Sequence, residues 1–428
     1  MKKDKTGTIR NKRWAKTDTI YALMLAVLYA ASTFMFYRQS IRYNGGYEAD
    51  TSLYVNMAIE ERGVRLIRWI YHYLYGITGN TILIALYMGV VVTCTALANY
   101  AVIRWYMSRS NPLKKRRGTD GKHYAEEPAA DPALAEQRAR VYAQAASLLM
   151  FVTGSMYIPG IHETLYKASW CTYAWHSPTQ QLMILFALLS LLIFLNIYDN
   201  YMERISPIAW IGLMITSLIS VWAKPSFMLV FIPTLIIVFL IELAVHAKDG
   251  LTKKRFARLF LFGLSMVPSG VLILFLNSSI YGEGSNNKVA VSIGGAEGFG
   301  YNVYVAAFCG LLFPAIVFLV NWRRLRQLPW QIALGMLIMG ISEWMIFYEE
   351  GSRQSSGNFA WGRQFGCYYF FLCAIALTYL NYTDKEFLGG KKIIRTAYFI
   401  IIAICFAMHV LTQTYHLYLM FRGYDFYI

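Results

Sequence analysis

Apolar side chains come in long unbroken runs along this chain, with little of the strict alternation that marks half-buried strands. Eleven runs stand out, at about 19–37, 79–105, 141–158, 181–198, 208–223, 227–246, 258–278, 303–321, 330–348, 364–381 and 396–418. Each approaches the roughly 20 residues with which a helix crosses a hydrocarbon layer of about 30 Å. Backbone groups in lipid must be satisfied within the segment, so each run is expected to be helical. One stretch has a different pattern. Over 64–77, Leu66, Ile70, Tyr73 and Leu74 recur at helical spacing against Arg65, Arg68 and His72. That pattern predicts an amphipathic helix lying in the membrane interface. The expected fold is therefore all-α: a polytopic transmembrane bundle of about 11 spans with an interface helix after the first.

Composition agrees with this. Of 428 residues 57% are hydrophobic, 16% aromatic and only 15% charged, against about 25% charged in soluble domains. The formal charge of +16 would suit a nucleic-acid binder, but its distribution argues otherwise. Basic residues collect in short segments: the N-terminal tail, Lys114-Lys115-Arg116-Arg117, Lys253-Lys254-Arg255 with Arg258, Arg323-Arg324 with Arg326, and Lys391-Lys392 with Arg395. If every run is a span, all five fall on one side, which the positive-inside rule makes the cytoplasm. The N-terminus is then expected inside and the C-terminus outside. The N-terminal tail resembles a signal n-region, but no small-residue cleavage site follows, so the first span is expected to be retained.

The chain divides into a basic tail (1–18), two spans with an acidic outer loop and the interface helix (19–107), a partly disordered cytoplasmic loop (108–140) with a helical end, and the remaining bundle (141–428). No nucleic-acid partner is implied. The cysteines have no metal-ligand spacing; five lie in apolar runs, and Cys171 falls in an outer loop with no obvious partner. Gly294-Gly295-Ala296-Glu297-Gly298-Phe299-Gly300 follows no buried strand and reads as flexible loop, without a phosphate-binding role.

With this topology the unusual polar residues gather on the outer face. The first outer loop holds Glu48 and Asp50, and Glu60-Glu61-Arg62 near its end looks like a solvated surface. The second holds His162-Glu163 and Trp175-His176-Ser177-Pro178-Thr179. A tight turn contains Lys224-Pro225-Ser226, where Lys224 could equally snorkel to the interface. The fourth carries Glu349-Glu350, Arg353 and Gly357-Asn358-Phe359-Ala360-Trp361-Gly362. Trp170, Tyr173, Trp175, Phe359 and Trp361 read as an interfacial belt or as a platform for a sugar ring. Glu343 lies inside the ninth run, a candidate functional site unless Lys224 or Arg353 pairs with it. Carboxylates at this depth suit proton transfer from a hydroxyl, and cations suit an anionic head group.

Taken together, Asp50-Thr51-Ser52-Leu53-Tyr54, Trp175-His176-Ser177-Pro178-Thr179, Lys224-Pro225-Ser226-Phe227 and Gly357-Asn358-Phe359-Ala360-Trp361-Gly362 resemble a group of bacterial multi-pass membrane proteins, mainly Gram-positive. In that group these stretches run S-D-x-x-x-H, W-H-N-P-T, K-P-S-F and G-N-F-x-W-G. The likeness covers about residues 45–380. Tyr54 stands where the group commonly has His, Ser177 where it has Asn, and Ala49 where it has Ser. The plan also resembles the GT-C superfamily of integral-membrane glycosyltransferases. That resemblance implies transfer of a sugar from a polyprenyl-phosphate or diphosphate carrier to a cell-envelope acceptor, at the outer face of a bacterial cell membrane. The likeness to the bacterial group implicates Asp50, His176, Lys224, Arg353 and Asn358. The transfer chemistry takes Asp50 as the base with Glu48 as its alternative, and His176, Lys224, Arg353, Asn358 and Trp361 as substrate contacts. Polyprenyl-phosphate-linked sugar and membrane lipids are the expected partners. No cofactor is expected, and Asp50 with Glu48 would be too few ligands for a divalent cation. A polysaccharide polymerase or ligase, a flippase for lipid-linked oligosaccharide, and a non-catalytic scaffold are the competing readings.

Overall fold

A computed structural model describes residues 5–41, 47, 49–109, 132–160, 175, 177–281, 286–291, 303–351 and 358–425. These residues form thirteen α-helices and two short strands. In chain order they are α1 (Lys5–Ile41), α2 (Asp50–Glu60), α3 (Leu66–Thr78), α4 (Ile82–Arg109), α5 (Pro132–Leu149), α6 (Pro178–Tyr198), α7 (Pro207–Ala223), α8 (Ser226–Val245), α9 (Thr252–Tyr281), β1 (Lys288–Val291), α10 (Val303–Val320), α11 (Leu328–Ile346), β2 (Phe347–Glu350), α12 (Ala360–Thr383) and α13 (Lys392–Arg422). Proline opens α6 and α7, where its missing N–H is not needed. Gly79 and Gly423 close α3 and α13 in the left-handed conformation that glycine adopts without strain.

Ten of the eleven apolar runs lie largely on single helices, and the run at 141–158 is helical only in its first half. Seven of those helices, α1, α4, α6, α8, α9, α12 and α13, are long and apolar enough to cross a membrane, and α7 and α10 are apolar but shorter. α5 and α11 are interrupted by polar residues: Glu136, Arg138 and Arg140 in one, Gln331 and Glu343 in the other. The chain is thus a multi-pass helical membrane protein.

Hydrogen bonds sort the helix ends into two groups. At one end Arg140 of α5 holds Asp18 of α1 at 2.7 Å, Trp105 of α4 reaches Asn196 of α6, and Tyr201 after α6 donates to Glu242 of α8. At the other, Ser40 of α1 donates to Thr81 before α4, Trp222 of α7 donates to Val64 before α3, and Tyr47 donates to the Phe421 carbonyl of α13.

The core is built around α12, buried continuously from Ala360 to Leu377. It packs on α4, α8, α10 and most extensively on α11. Small residues make that last contact close. A Cβ on Gly340 of α11 would lie 2.5 Å from the Arg363 Cα, and one on Gly366 of α12 would lie 2.7 Å from the Met336 carbonyl oxygen. Without a hydrophobic drive between helices in lipid, such backbone approach is a principal source of attraction.

Two expectations are corrected here. The run at 141–158 is not one helix: α5 begins at Pro132 and stops at Leu149, and 153–158 is non-helical. This stretch is tolerated because other elements satisfy its backbone. Gly154 donates to His409, Met156 to Cys309, and Tyr157 to the Thr412 hydroxyl. Connections between apolar runs also contain structure that periodicity did not suggest. α2 starts at Asp50, and β1 pairs antiparallel with β2 in the register Ala290↔Tyr348.

Candidate functional site

The amphipathic pattern at 64–77 becomes α3, tied to α7 at the end where the acidic loop lies. Trp222 donates its indole N–H to the Val64 carbonyl at 2.8 Å, and its ring meets Trp69 edge-on at 5.9 Å. This places Arg65, which precedes α3, beside the α7–α8 turn. The Arg65 guanidinium donates to the Tyr54 hydroxyl of α2 at 3.2 Å.

The turn itself is short because Pro225 cannot continue α7. Lys224 takes an extended conformation and its side chain is only 5% exposed. Its ammonium lies 3.3 Å from the centroid of the Trp361 ring, in the first turn of α12. A desolvated ammonium gains from an aromatic face on the order of 2 kcal/mol. Two residues further on, the Arg363 guanidinium lies 3.6 Å from the Trp344 ring of α11. Of the aromatic residues predicted to form a belt, Trp361 and Trp175 are buried, and Trp175 donates to the Phe151 carbonyl. They support neighbouring groups and do not face the interface.

Between them these elements enclose a cavity of about 520 Å³. Arg65, Lys224, Glu343 and Asn358 line its polar part, while Leu229, Pro233, Ile273, Leu276, Met339 and Ile346 line the remainder. The apolar wall comes from α8, α9 and α11. β1 and β2 join the ends of α9 and α11, with Val289 and Phe347 in the lining. Asn358 is held by its amide, which donates to Glu349 of β2 at 2.7 Å, and Tyr281 at the end of α9 donates to the same carboxylate. Glu349 is therefore occupied as a brace for the site.

Glu343 is the carboxylate in the lining. Its Oε2 atom is buried with no hydrogen-bond partner. Gly362 makes the room for it, since a Cβ there would come within 2.2 Å of that oxygen. Two basic side chains, one carboxylate and a long apolar wall suit an amphiphile with an anionic head.

Among the residues singled out from sequence, Lys224 and Asn358 meet at this cavity and Trp361 backs Lys224. Asp50 opens α2 and is outside the lining. Its neighbour Thr51 donates to Gln39, which donates to the Trp175 carbonyl. Asp50 is one helical turn from Tyr54, the acceptor of Arg65. Glu48, Trp170, Cys171, Tyr173, His176, Arg353 and the glycine-rich 294–300 lie outside the described residues. The sequence reading missed Arg65, which looked like part of a solvated helix face, and Tyr281; it named Glu349 but gave it no role, because its pairing with Tyr281 depends on tertiary structure. Glu60, Glu61 and Arg62 are exposed, as a solvated surface should be. Among the described residues no group of three or more His, Cys, Asp or Glu could hold a metal ion, and the described cysteines form no disulfide.

Fold and cavity together define a multi-pass helical membrane protein with an amphiphilic pocket at one end of its bundle. The chain matches no family model, and comparison with curated proteins gives no match.

Proposed function

We propose that this protein is an integral-membrane glycosyltransferase of GT-C-like plan. It takes a sugar from a polyprenyl-phosphate or diphosphate carrier and passes it to a cell-envelope acceptor. The observation that carries the reading is the cavity, where Lys224 and Arg65 stand at one end of a wall built from Leu229, Pro233, Ile273, Leu276 and Met339. Lys and Arg bind phosphate oxygens through charge-assisted hydrogen bonds. They would stabilise the phosphate that leaves when the glycosidic bond to the carrier breaks. The apolar wall would take the first isoprene units.

The proposed topology has eleven crossings, a cytoplasmic N-terminus and the cavity at the extracytoplasmic face of a bacterial cell membrane. The distribution of basic segments supports this orientation. A flippase would need charged groups along the depth of the bundle, whereas Arg65, Lys224 and Glu343 belong to one end.

Binding of polyprenyl phosphate to protein in nanodiscs tests the reading. Lys224→Met keeps the apolar stem and removes the charge, and should weaken binding at least tenfold, about 1.4 kcal/mol. Equal affinity in wild type and variant would remove the phosphate-binding role.

A further inference from the structure

The carboxylate that the chemistry needs has two claimants in the described chain, and the cavity distinguishes them. Asp50 is outside the lining, at the start of α2, the helix whose Tyr54 accepts a hydrogen bond from Arg65 of the cavity. Glu343 is within the lining. Its Oε2 atom is buried and accepts no hydrogen bond, although a buried carboxylate oxygen ordinarily has a partner. The space it occupies is maintained by an absent side chain: a Cβ on Gly362 would lie 2.2 Å from Oε2 and 2.8 Å from Val230 Cγ1. Glu343 stands in the last turn of α11, where its backbone carbonyl accepts the N–H of Phe347 as β2 begins. Lys224, which could have neutralised it as an ion pair, is stacked on Trp361. A carboxylate with an open acceptor position, in a pocket with two cations, is set to receive a hydroxyl.

We propose that Glu343 is the proton acceptor of this pocket. The inference rests on the glycosyl-transfer reading above. In the step it implies, the acceptor hydroxyl gives its proton to Glu343 as its oxygen forms a bond to the anomeric carbon of the donor sugar. The bond from that carbon to the carrier phosphate oxygen breaks, and its electron pair leaves with the polyprenyl phosphate. Lys224 and Arg65 face the charge that develops there. A positioned general base of this kind contributes roughly 10²–10⁴-fold to rate.

The experiment compares wild type with Glu343→Gln and Asp50→Asn in nanodiscs. It reads polyprenyl phosphate binding and, by mass spectrometry, consumption of polyprenyl-phosphate-linked sugars from a bacterial lipid extract. Glu343→Gln should bind polyprenyl phosphate within about threefold of wild type and consume donor about 100-fold more slowly. Asp50→Asn should retain the larger part of the rate. Donor consumption by Glu343→Gln at the wild-type rate overturns the assignment and leaves the function reading intact. Loss confined to Asp50→Asn does the same. A wild type that neither binds polyprenyl phosphate nor consumes donor removes the function reading, and this inference with it. If Glu343→Gln fails to fold, wild-type protein treated with dicyclohexylcarbodiimide decides. Loss of consumption in step with Glu343 labelling, slowed by polyprenyl phosphate, supports the role; full labelling without loss overturns it.

Discussion

Gly362 shows how much of this site depends on single atoms. Its hydrogen faces both Glu343 and Val230, and it is one of the glycines that let α11 and α12 approach. Gly362→Ala should therefore do two things at once. It should destabilise the bundle by about 1–3 kcal/mol through overpacking, and it should displace the Glu343 carboxylate. Gly76 in α3 supplies the control, because a Cβ there meets nothing within 4 Å. Gly76→Ala should stabilise α3 by up to about 1 kcal/mol, the difference in helix propensity. Thermal unfolding in detergent measures both, and a neutral Gly362→Ala would contradict the packing. At this scale the sequence was informative where a residue was chemically out of place. Lys224 beside proline and Glu343 inside an apolar run could be singled out from their neighbours alone. Arg65 could not, because a guanidinium on the polar face of an amphipathic helix looks the same whether it faces water or a cavity. Tyr281 and Glu349 show their part only in the folded chain, where a hydrogen bond joins the end of α9 to β2 across 68 residues.

Helices were legible to the extent that apolarity and helicity coincide. The amphipathic helix expected at 64–77 is α3 at Leu66–Thr78, and most of the long helices begin and end within a few residues of their apolar runs. The exceptions share a cause. Residues 153–158 continue an apolar run and are buried from Thr153 to Met156, yet they are non-helical, and a hydropathy pattern cannot tell such a segment from the end of a helix. α2 and the two strands lie in polar connections where local pattern is weak and partners are distant in sequence. Connections also carry measurable electrostatics. Between α8 and α9, Arg255 donates to Asp249, and with the Leu251 backbone N–H this holds the Asp249 carboxyl below its ordinary 3.8. A lowered carboxyl contributes stability above the unfolded value that is lost as pH falls through the folded one. The difference in melting temperature between wild type and Asp249→Asn should accordingly shrink as pH is lowered from about 6 to below 3.8. A constant difference across that range would show that the pair contributes nothing to stability.

At the scale of the whole molecule, the number of crossings decides where the pocket opens. The Tyr47 hydroxyl, just before α2, reaches the Phe421 carbonyl near the end of α13 at 3.2 Å. The first connection and the C-terminal end of α13 therefore share one end of the bundle, the same end as Lys224 and Glu343. The end of α1 also belongs there, since Ser40 bonds Thr81 and Gln39 bonds Trp175. An odd number of crossings between the start of α1 and the end of α13 follows from the proposed topology, and eleven satisfies it. Exposed single cysteines in an otherwise cysteine-free chain can test this: Glu61→Cys and Tyr424→Cys at the cavity end, Lys254→Cys and Lys391→Cys at the basic end. A membrane-impermeant maleimide applied to intact cells should label the first pair, and the second only after permeabilisation. Labelling of Glu61→Cys and Tyr424→Cys from opposite sides would require an even count and would break the Tyr47–Phe421 contact. Labelling of both from the cytoplasm would keep the fold but turn the cavity inward, where a donor carried on the outer leaflet could not reach Lys224.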